Sequence, residues 1–458
     1  MGNSEIYYCR ILVLCTGIAL GALYTGYNTS VLNIAYKPLV KACKWTKEES
    51  DKYHGLVVSF YQLGAAFVCP FVGIVVDKIG RINTLIIAEL IGCVGTIFYM
   101  FFNIYPILIG RLISGIAAAS FSVCVPLYVR ELSPKEISGL LGTIYSFFLR
   151  LASAIGFSFV FGFNSDYSNY GYLRFVLGFP ILILILQLVI VKLIFNVESP
   201  RKLYASNNLK QCKKNIELLY SSSERVEKEI EVVKKNVEVA SKNTEISLKE
   251  VLSRKFIYAL IVMICIHILQ QCSLGPTLLM YSNTVFEKAH ISQSLANVAT
   301  LFVGLVSVDG VYSSSVILDY VGRRRQLIIG SIFLSLFLFL LTLVTYQDDK
   351  LLEIVCIQFI IMSYSLSYGS VTWVYQSEIL YSKAQGISSV FHWLAQFGVS
   401  LLFPFMLNST VFGRGKLFLV FGFILFLGII FSIFVVKETK QRNEFDNRFL
   451  YTNKELRN

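Results

Sequence analysis

The stretch Gly73-Ile-Val-Val-Asp-Lys-Ile-Gly-Arg81 is an apolar run that ends in a charged turn. It returns 242 residues later as Val316-Ile-Leu-Asp-Tyr-Val-Gly-Arg-Arg324, with the same Asp-x-x-Gly-Arg frame. Apolar residues fill 53–76 before the first turn and 84–102 after it. Each flank has the length of a membrane crossing, which takes about 20 residues of helix. Counting outward from this pair gives twelve such runs: 11–35, 53–76, 84–102, 106–128, 139–163, 173–196, 255–281, 293–318, 326–346, 352–376, 386–408 and 417–436. The chain is 55% hydrophobic and only 15% charged, with a mean hydropathy of +0.63. A soluble fold is excluded. No alternating ten-residue pattern appears, so the runs read as helices rather than barrel strands. The expected fold is an all-helical membrane protein with twelve transmembrane helices in two six-helix bundles.

The net charge of +12 does not indicate nucleic acid, because of where the charge sits. With both termini placed in the cytoplasm, 28 of the 41 Lys and Arg residues fall in cytoplasmic segments and nine in outer loops. That asymmetry is the positive-inside rule. The first outer loop departs from it with Lys37, Lys41, Lys44, Lys47 and Lys52, read as a solvated surface. The first apolar run has no small-residue cleavage site and is expected to be retained. Ile6 breaks the myristoylation pattern. The ten cysteines include no C-x-x-C pair, so neither a disulfide framework nor a zinc site is indicated. No cofactor signature appears.

Residues 197–254 interrupt the apolar pattern and separate the bundle of 1–196 from that of 255–436; a tail covers 437–458. In the insert Leu209, Cys212, Ile216 and Leu219 recur at helical spacing, as do Val226, Ile230, Val233 and Val237. Ser221-x-x-Glu224 and Ser247-x-x-Glu250 read as capping boxes. Short amphipathic helices against the inner face are expected. The flanking halves echo each other. Asp77 and Arg81 answer Asp319, Arg323 and Arg324; Glu131, eight residues before Gly139, answers Glu378, eight before Gly386; Glu198 and Arg201 answer Glu438 and Arg442. Parallel six-helix repeats with a site between them are a transporter architecture. These charges lie at cytoplasmic helix ends, where pairs between the halves would latch one conformation and release in another.

At these residues the chain resembles the sugar porters, the glucose-transporter-like family of the major facilitators, over nearly its whole length. The resemblance rests on Gly26-Tyr27-Asn28-Thr29, on Gly73 to Arg81, on Gly110-Arg111 with Gly115, and on Pro126-Leu-Tyr-Val-Arg-Glu-Leu-Ser-Pro134. It continues through Val197-Glu-Ser-Pro-Arg201, Gln270-Gln271 and Phe286-Glu287-Lys288-Ala289. Gly322-Arg323-Arg324, Trp373, Glu378 and Glu438-Thr-Lys440 complete it. The resemblance implies two bundles rocking about a midplane site. Positions that bind sugar in the family fall on Ser146, Pro276, Ser307 and His392, the last before Trp393. The Arg expected seven residues after each loop glutamate is Ser138 in one half and Gln385 in the other. These departures put the identity of the sugar in question.

Gln270 and Gln271 precede Gly275-Pro276, where the missing backbone donor predicts a break in the seventh helix. Paired amides offer donors and acceptors to sugar hydroxyls without the cost of a buried charge; a helix–helix hydrogen bond is the competing reading. Gln270 is favoured over Gln271. Trp373 reads as a stacking or gating ring, against an interfacial tryptophan. Trp393 divides evenly between site and packing, and Tyr281 between an outer gate and packing. Asn28 and Arg111 share an outer depth. In proton-coupled relatives the Asn28 position is Asp, so the resemblance implies a facilitative carrier. Arg150 and Asp309, at similar mid-membrane depths, are expected to pair, against separate exposure to the cavity. Glu89 is not paired with Arg111. His267 and His392 read as hydrogen-bonded neutral residues.

The expected function is facilitated transport of a monosaccharide, a hexose first, across the plasma membrane. Its partners are that sugar and the lipid bilayer, and sequence leaves the oligomeric state open. Enzymatic activity is not expected. The rivals are a proton-coupled symporter working through Asp309, Glu89 or His267, and a non-transporting sugar receptor.

Overall fold

In hydrocarbon every backbone N–H and C=O must be paired internally, and a helix does so within a single segment. The computed structural model describes residues 6–137, 141–164, 166–242, 248–253, 256–409, 413–440 and 447–452. Among them twelve helices are long and apolar enough to cross a membrane, numbered here as spans 1–12. They are Tyr8–Ser30, Lys47–Ile79, Arg81–Phe98, Ile104–Leu132, Ile144–Gly162 and Tyr170–Phe195, then Ile257–Lys288, Gln293–Leu318, Arg323–Gln347, Lys350–Ile379, Lys383–Asn408 and Gly413–Phe434. They follow the twelve apolar runs in order. Their outward face is apolar: Leu90, Leu193, Leu343 and Phe434, on spans 3, 6, 9 and 12, are 60% exposed or more. An apolar exterior of that extent matches lipid rather than water.

Two details at the start of the chain differ from expectation. Span 1 ends at Ser30, whose hydroxyl donates to the Gly26 and Tyr27 carbonyls. After Val31 a further helix, Leu32–Cys43, carries Lys37 and Lys41 along the far face. Span 2 then opens on a capping box that the sequence reading passed over, Thr46 with Glu49.

The two halves meet most extensively along two seams, span 2 against span 11 and span 5 against span 8. At the second seam a Cβ on Gly304 would come within 2.8 Å of Ala154 Cα, so the approach needs a residue without a side chain. The insert forms helices Pro200–Ala205, Leu209–Glu217, Ser223–Lys242 and Leu248–Val251. Cys212, Ile216, Leu219 and Val226 are its buried stripe. It is fastened to the face that bears the chain ends, called here the terminal face. Asn215 Nδ2 donates to the Glu198 carbonyl at 2.8 Å, Arg225 pairs with Glu136 at 2.7 Å, and the Tyr7 N–H donates to the Leu219 carbonyl at 3.0 Å. The third insert helix starts one residue later than the proposed capping box requires: Ser222, not Ser221, accepts from the Arg225 N–H. Ser138, Gly139, Ser247, Arg442 and the Asp319 side chain lie outside the described residues.

Candidate substrate-binding site

Span 7 breaks where its sequence says it should. Helix Ile257–Cys272 stops, Leu274 turns left-handed at φ 58°, and helix Gly275–Lys288 restarts with Pro276 in its first turn. A left-handed non-glycine costs about 1–2 kcal/mol, so packing must hold it; Leu274 is fully buried. Span 10 breaks at the same level, between Leu366 and Tyr368. The first break frees the Gln270 carbonyl, which accepts from Ser273 Oγ at 2.6 Å. Gln270 Nε2 donates across to the Tyr368 carbonyl at 2.9 Å. Its donor side is therefore the helix–helix bond weighed as the competing reading.

Five predicted residues, Gln270, Gln271, Trp373, His392 and Trp393, come together with His267. His392 Nδ1 lies 3.1 Å from both Gln270 Oε1 and Gln271 Nε2. One ring nitrogen donates to the first or accepts from the second, never both; His267 Nδ1, 3.4 Å from Gln270 Oε1, can serve Gln270 when His392 turns to Gln271. The Trp373 and His392 rings meet edge-on at 4.7 Å, with His267 at 5.4 and 5.0 Å from each. Gln271 Oε1, His267 Nε2 and Trp393 Nε1 are buried with no partner among the described residues. Gln271, ranked second by sequence, carries the more open amide. Trp393 reaches over the seam onto Ala65, Ala66, Cys69 and Ala119 of the first half. Ser307 turns its hydroxyl back to the Gly304 carbonyl at 2.7 Å and offers little to a ligand. Ser146 is half-buried on span 5.

Toward the terminal face this site opens. Residues 143–151 at the start of span 5 are half-buried on every side of the helix, and Trp373 is 37% exposed. Toward the far face it is sealed. Tyr281 is fully buried, its hydroxyl on the Ser400 carbonyl at 2.8 Å and its ring edge-on to His54. Asn33 Nδ2 donates to Ser282 Oγ at 2.8 Å and to the Leu279 carbonyl at 3.2 Å, and its Oδ1 accepts from the Asn283 N–H at 2.9 Å. Lys37 pairs with Glu287 at 2.5 Å, which corrects the reading of the first outer loop as merely solvated. Asn33 and His54 were missed; only their polarity within an apolar run marked them.

The described charge pairs on the terminal face lie within each half in this conformation. Arg81 grips Glu131 through two 2.8 Å bonds, with Asp77 at 3.3 Å and Arg201 at 3.8 Å from that cluster. Glu198 accepts from the Arg81 and Ile82 N–H groups, capping span 3. In the second half Arg323 pairs with Glu378 at 2.9 Å, Glu438 accepts from the Arg323 and Arg324 N–H groups, and Arg324 Nη2 donates to the Ile433 carbonyl at 2.5 Å. Gly80 and Gly322, at φ 95° and 90°, turn the chain so that each glutamate meets a bare helix N-terminus. The described pairs of each cluster lie within one half; this conformation is open toward the terminal face, where the expected latch between halves would be released.

Asn28 and Arg111 meet as their depths implied. Arg111, 1% exposed, donates to the Asn28, Val57 and Val58 carbonyls and lies over the Tyr61 ring. Tyr99 donates to Asn28 Oδ1. The pair expected between Arg150 and Asp309 is not formed among the described residues. Arg150 Nη2 donates to the Tyr364 hydroxyl at 3.1 Å. Asp309 lies five residues past Gly304, about 140° round the helix from the contact with span 5. It falls on an outward stripe with exposed Phe302, Leu305, Tyr312 and Val316. Helical phase separates the two residues. Glu89 is buried in span 3, and its Oε2 has no described partner.

A family model described as Sugar (and other) transporter matches residues 14–446. The chain is 28% identical over 435 residues to the "Probable metabolite transport protein CsbC" of Bacillus subtilis, covering 93% of this chain and 91% of that protein. It is 26% identical over 439 residues to a D-xylose transporter of Levilactobacillus brevis, covering 93% and 92%. The solved inward-open conformation of the xylose transporter XylE from E. coli superposes with a TM-score of 0.79. That match covers 96% of this chain and 99% of the other at 21% identity, and it carries the fold alone.

Proposed function

The chain belongs to the sugar transporter family of multi-pass membrane proteins, whose members carry solutes and are not enzymes, and on that premise we propose that it moves a monosaccharide, a hexose first, by facilitated alternating access. The observation that supports this reading most is the set of buried, unpartnered polar atoms on Gln271, His267 and Trp393 beside the broken spans. Hydroxyl groups supply both donors and acceptors, which is what such a mixed set lacks. The site is sealed by Asn33, Tyr281 and Lys37 on one side and open on the other, as a rocking mechanism requires. Asn28 carries no titratable group, which favours uniport. In this reading both termini and the insert face the cytoplasm, the membrane is the plasma membrane, and the halves divide at 196 and 255. Competition by hexoses, pentoses, polyols and nucleosides for uptake into proteoliposomes tests it. Failure of every sugar to compete, with nucleosides competing well, would refute it. A second reading, proton-coupled symport, draws on Glu89, a buried carboxyl without a described partner. Alkalinisation outside the vesicles during uptake would favour it.

A further inference from the structure

The charge balance of the site points to the kind of sugar it takes. Away from the span ends the sequence holds two acidic residues, Glu89 and Asp309. Span 3, which carries Glu89, packs on spans 2, 4 and 6 of its own half, and Asp309 lies on the outward stripe of span 8. Neither faces the site. Arg150 does.

Span 5 turns Leu149 toward Gly26 of span 1 and Ala154 toward Gly304 of span 8. Ser146 and Arg150, one turn apart, therefore share the side between those neighbours. From there Arg150 reaches over the seam to the Tyr364 hydroxyl at 3.1 Å, and its guanidinium carbon stands 5.3 Å from the centre of that ring. Tyr364 is 3% exposed. Its ring is packed against Gly275 at the break of span 7, where an added Cβ would come within 2.1 Å of it. Four residues on, across the break in span 10, is Tyr368, whose carbonyl holds Gln270. The half-buried guanidinium is thus joined through Tyr364 to the break of span 7, three residues beyond the Gln270-Gln271 pair.

A guanidinium has five N–H donors, and among the described residues Arg150 uses one, toward Tyr364. A phenol and its ring face offset only part of the cost of holding a cation out of bulk water. Among the described residues no carboxylate pairs with it. A carboxylate or phosphate does so in a planar, two-bond geometry that an arginine is built to make.

We infer that the transported sugar is anionic, a sugar acid whose charged group pairs with Arg150 while its hydroxyls engage Gln271, His392 and Trp393. The inference rests on the sugar-transport reading and narrows it. The shared chemistry is one anionic group on a polyhydroxylated frame, whether carboxylate or phosphate.

The test is uptake of radiolabelled sugars by the full-length protein in proteoliposomes. D-glucuronate is compared with D-glucose and D-galacturonate with D-galactose, with glucose 6-phosphate as a further arm. Wild-type protein is expected to take up each acid with kcat/KM about tenfold to a hundredfold above its neutral parent, the range for a hydrogen bond to a charged group. In Arg150→Gln that ratio falls to near one, and in Arg150→Lys, which keeps the charge, part of it remains. Preference for glucose 6-phosphate over glucose, with the uronates refused, identifies the anion as a phosphate and supports the inference. Equal or better uptake of the neutral hexoses by wild-type protein overturns it while sugar transport stands. Retention of the full acid preference by Arg150→Gln overturns it as well. Uptake of none of these sugars overturns both readings. Should Arg150→Gln fail to insert, the wild-type ratios and Arg150→Lys still decide.

Discussion

Asn33→Ala is expected to loosen the seal on the far face. The Asn33 side chain makes three hydrogen bonds to the second half, to Ser282 Oγ, the Leu279 carbonyl and the Asn283 N–H, at 2.8–3.2 Å. Each is worth about 0.5–1.5 kcal/mol net. Leu279 and Asn283 sit inside a helix and have intrahelical partners as well, so the three together are taken as about 2 kcal/mol. Alanine removes that amount from the far-closed conformation and almost none from the far-open one, where these groups are hydrated. The closed-to-open ratio should fall by about 30-fold. Spin labels at Glu48 on span 2 and Lys288 on span 7, in a protein whose ten cysteines have been replaced, report the distance across the seal. Wild-type protein should give mostly the short distance and Asn33→Ala a distribution moved toward the long one. Identical distributions in the two proteins would show that Asn33 does not hold the halves together.

Gln271→Ala is expected to weaken sugar binding by about 1–3 kcal/mol, measured by uptake competition at matched surface levels. Gln270→Ala should in addition lower the melting temperature, because it loses the tie to the Tyr368 carbonyl; equal melting curves would contradict this. Arg81→Ala takes two 2.8 Å bonds from Glu131, a side chain only 4% exposed. Glu131 keeps Ser199 Oγ at 2.6 Å and Arg201 at 3.8 Å, so the loss should fall below the cost of a fully broken buried pair, about 3–5 kcal/mol. Arg323→Ala should destabilise less, since that pair is 14% and 22% exposed; a larger loss in thermal stability for Arg323→Ala would reverse the ranking. With Asn28 in place, net sugar flux should equilibrate under an imposed pH gradient, and uphill accumulation would remove uniport in favour of a carboxyl such as Glu89.

Local patterns were legible in the amino-acid sequence alone. Apolar length placed the twelve spans, because a helix in hydrocarbon pairs its own backbone and needs no distant partner. Gly275-Pro276 announced the break in span 7, because a missing N–H acts within one turn. The Asp-x-x-Gly-Arg repeats and their glutamates marked the ends of the spans, and the resemblance they carried was to the right family. What depended on rotation about a helix axis, or on which helix faces which, was decided by the tertiary structure. Arg150 and Asp309 matched in depth but differ in phase, so one reaches Tyr364 and the other turns outward. The paired glutamines looked alike in sequence, yet Gln270 is taken up by the Tyr368 carbonyl and Gln271 is left with a free oxygen. The charged repeats read as latches between halves, and in this conformation, open on the terminal face, their described pairs lie within each half. Contacts that cross, among them those of Asn33, Lys37, Tyr281, Arg150 and Trp393, join residues distant in sequence that only the packing of one bundle on the other brings together.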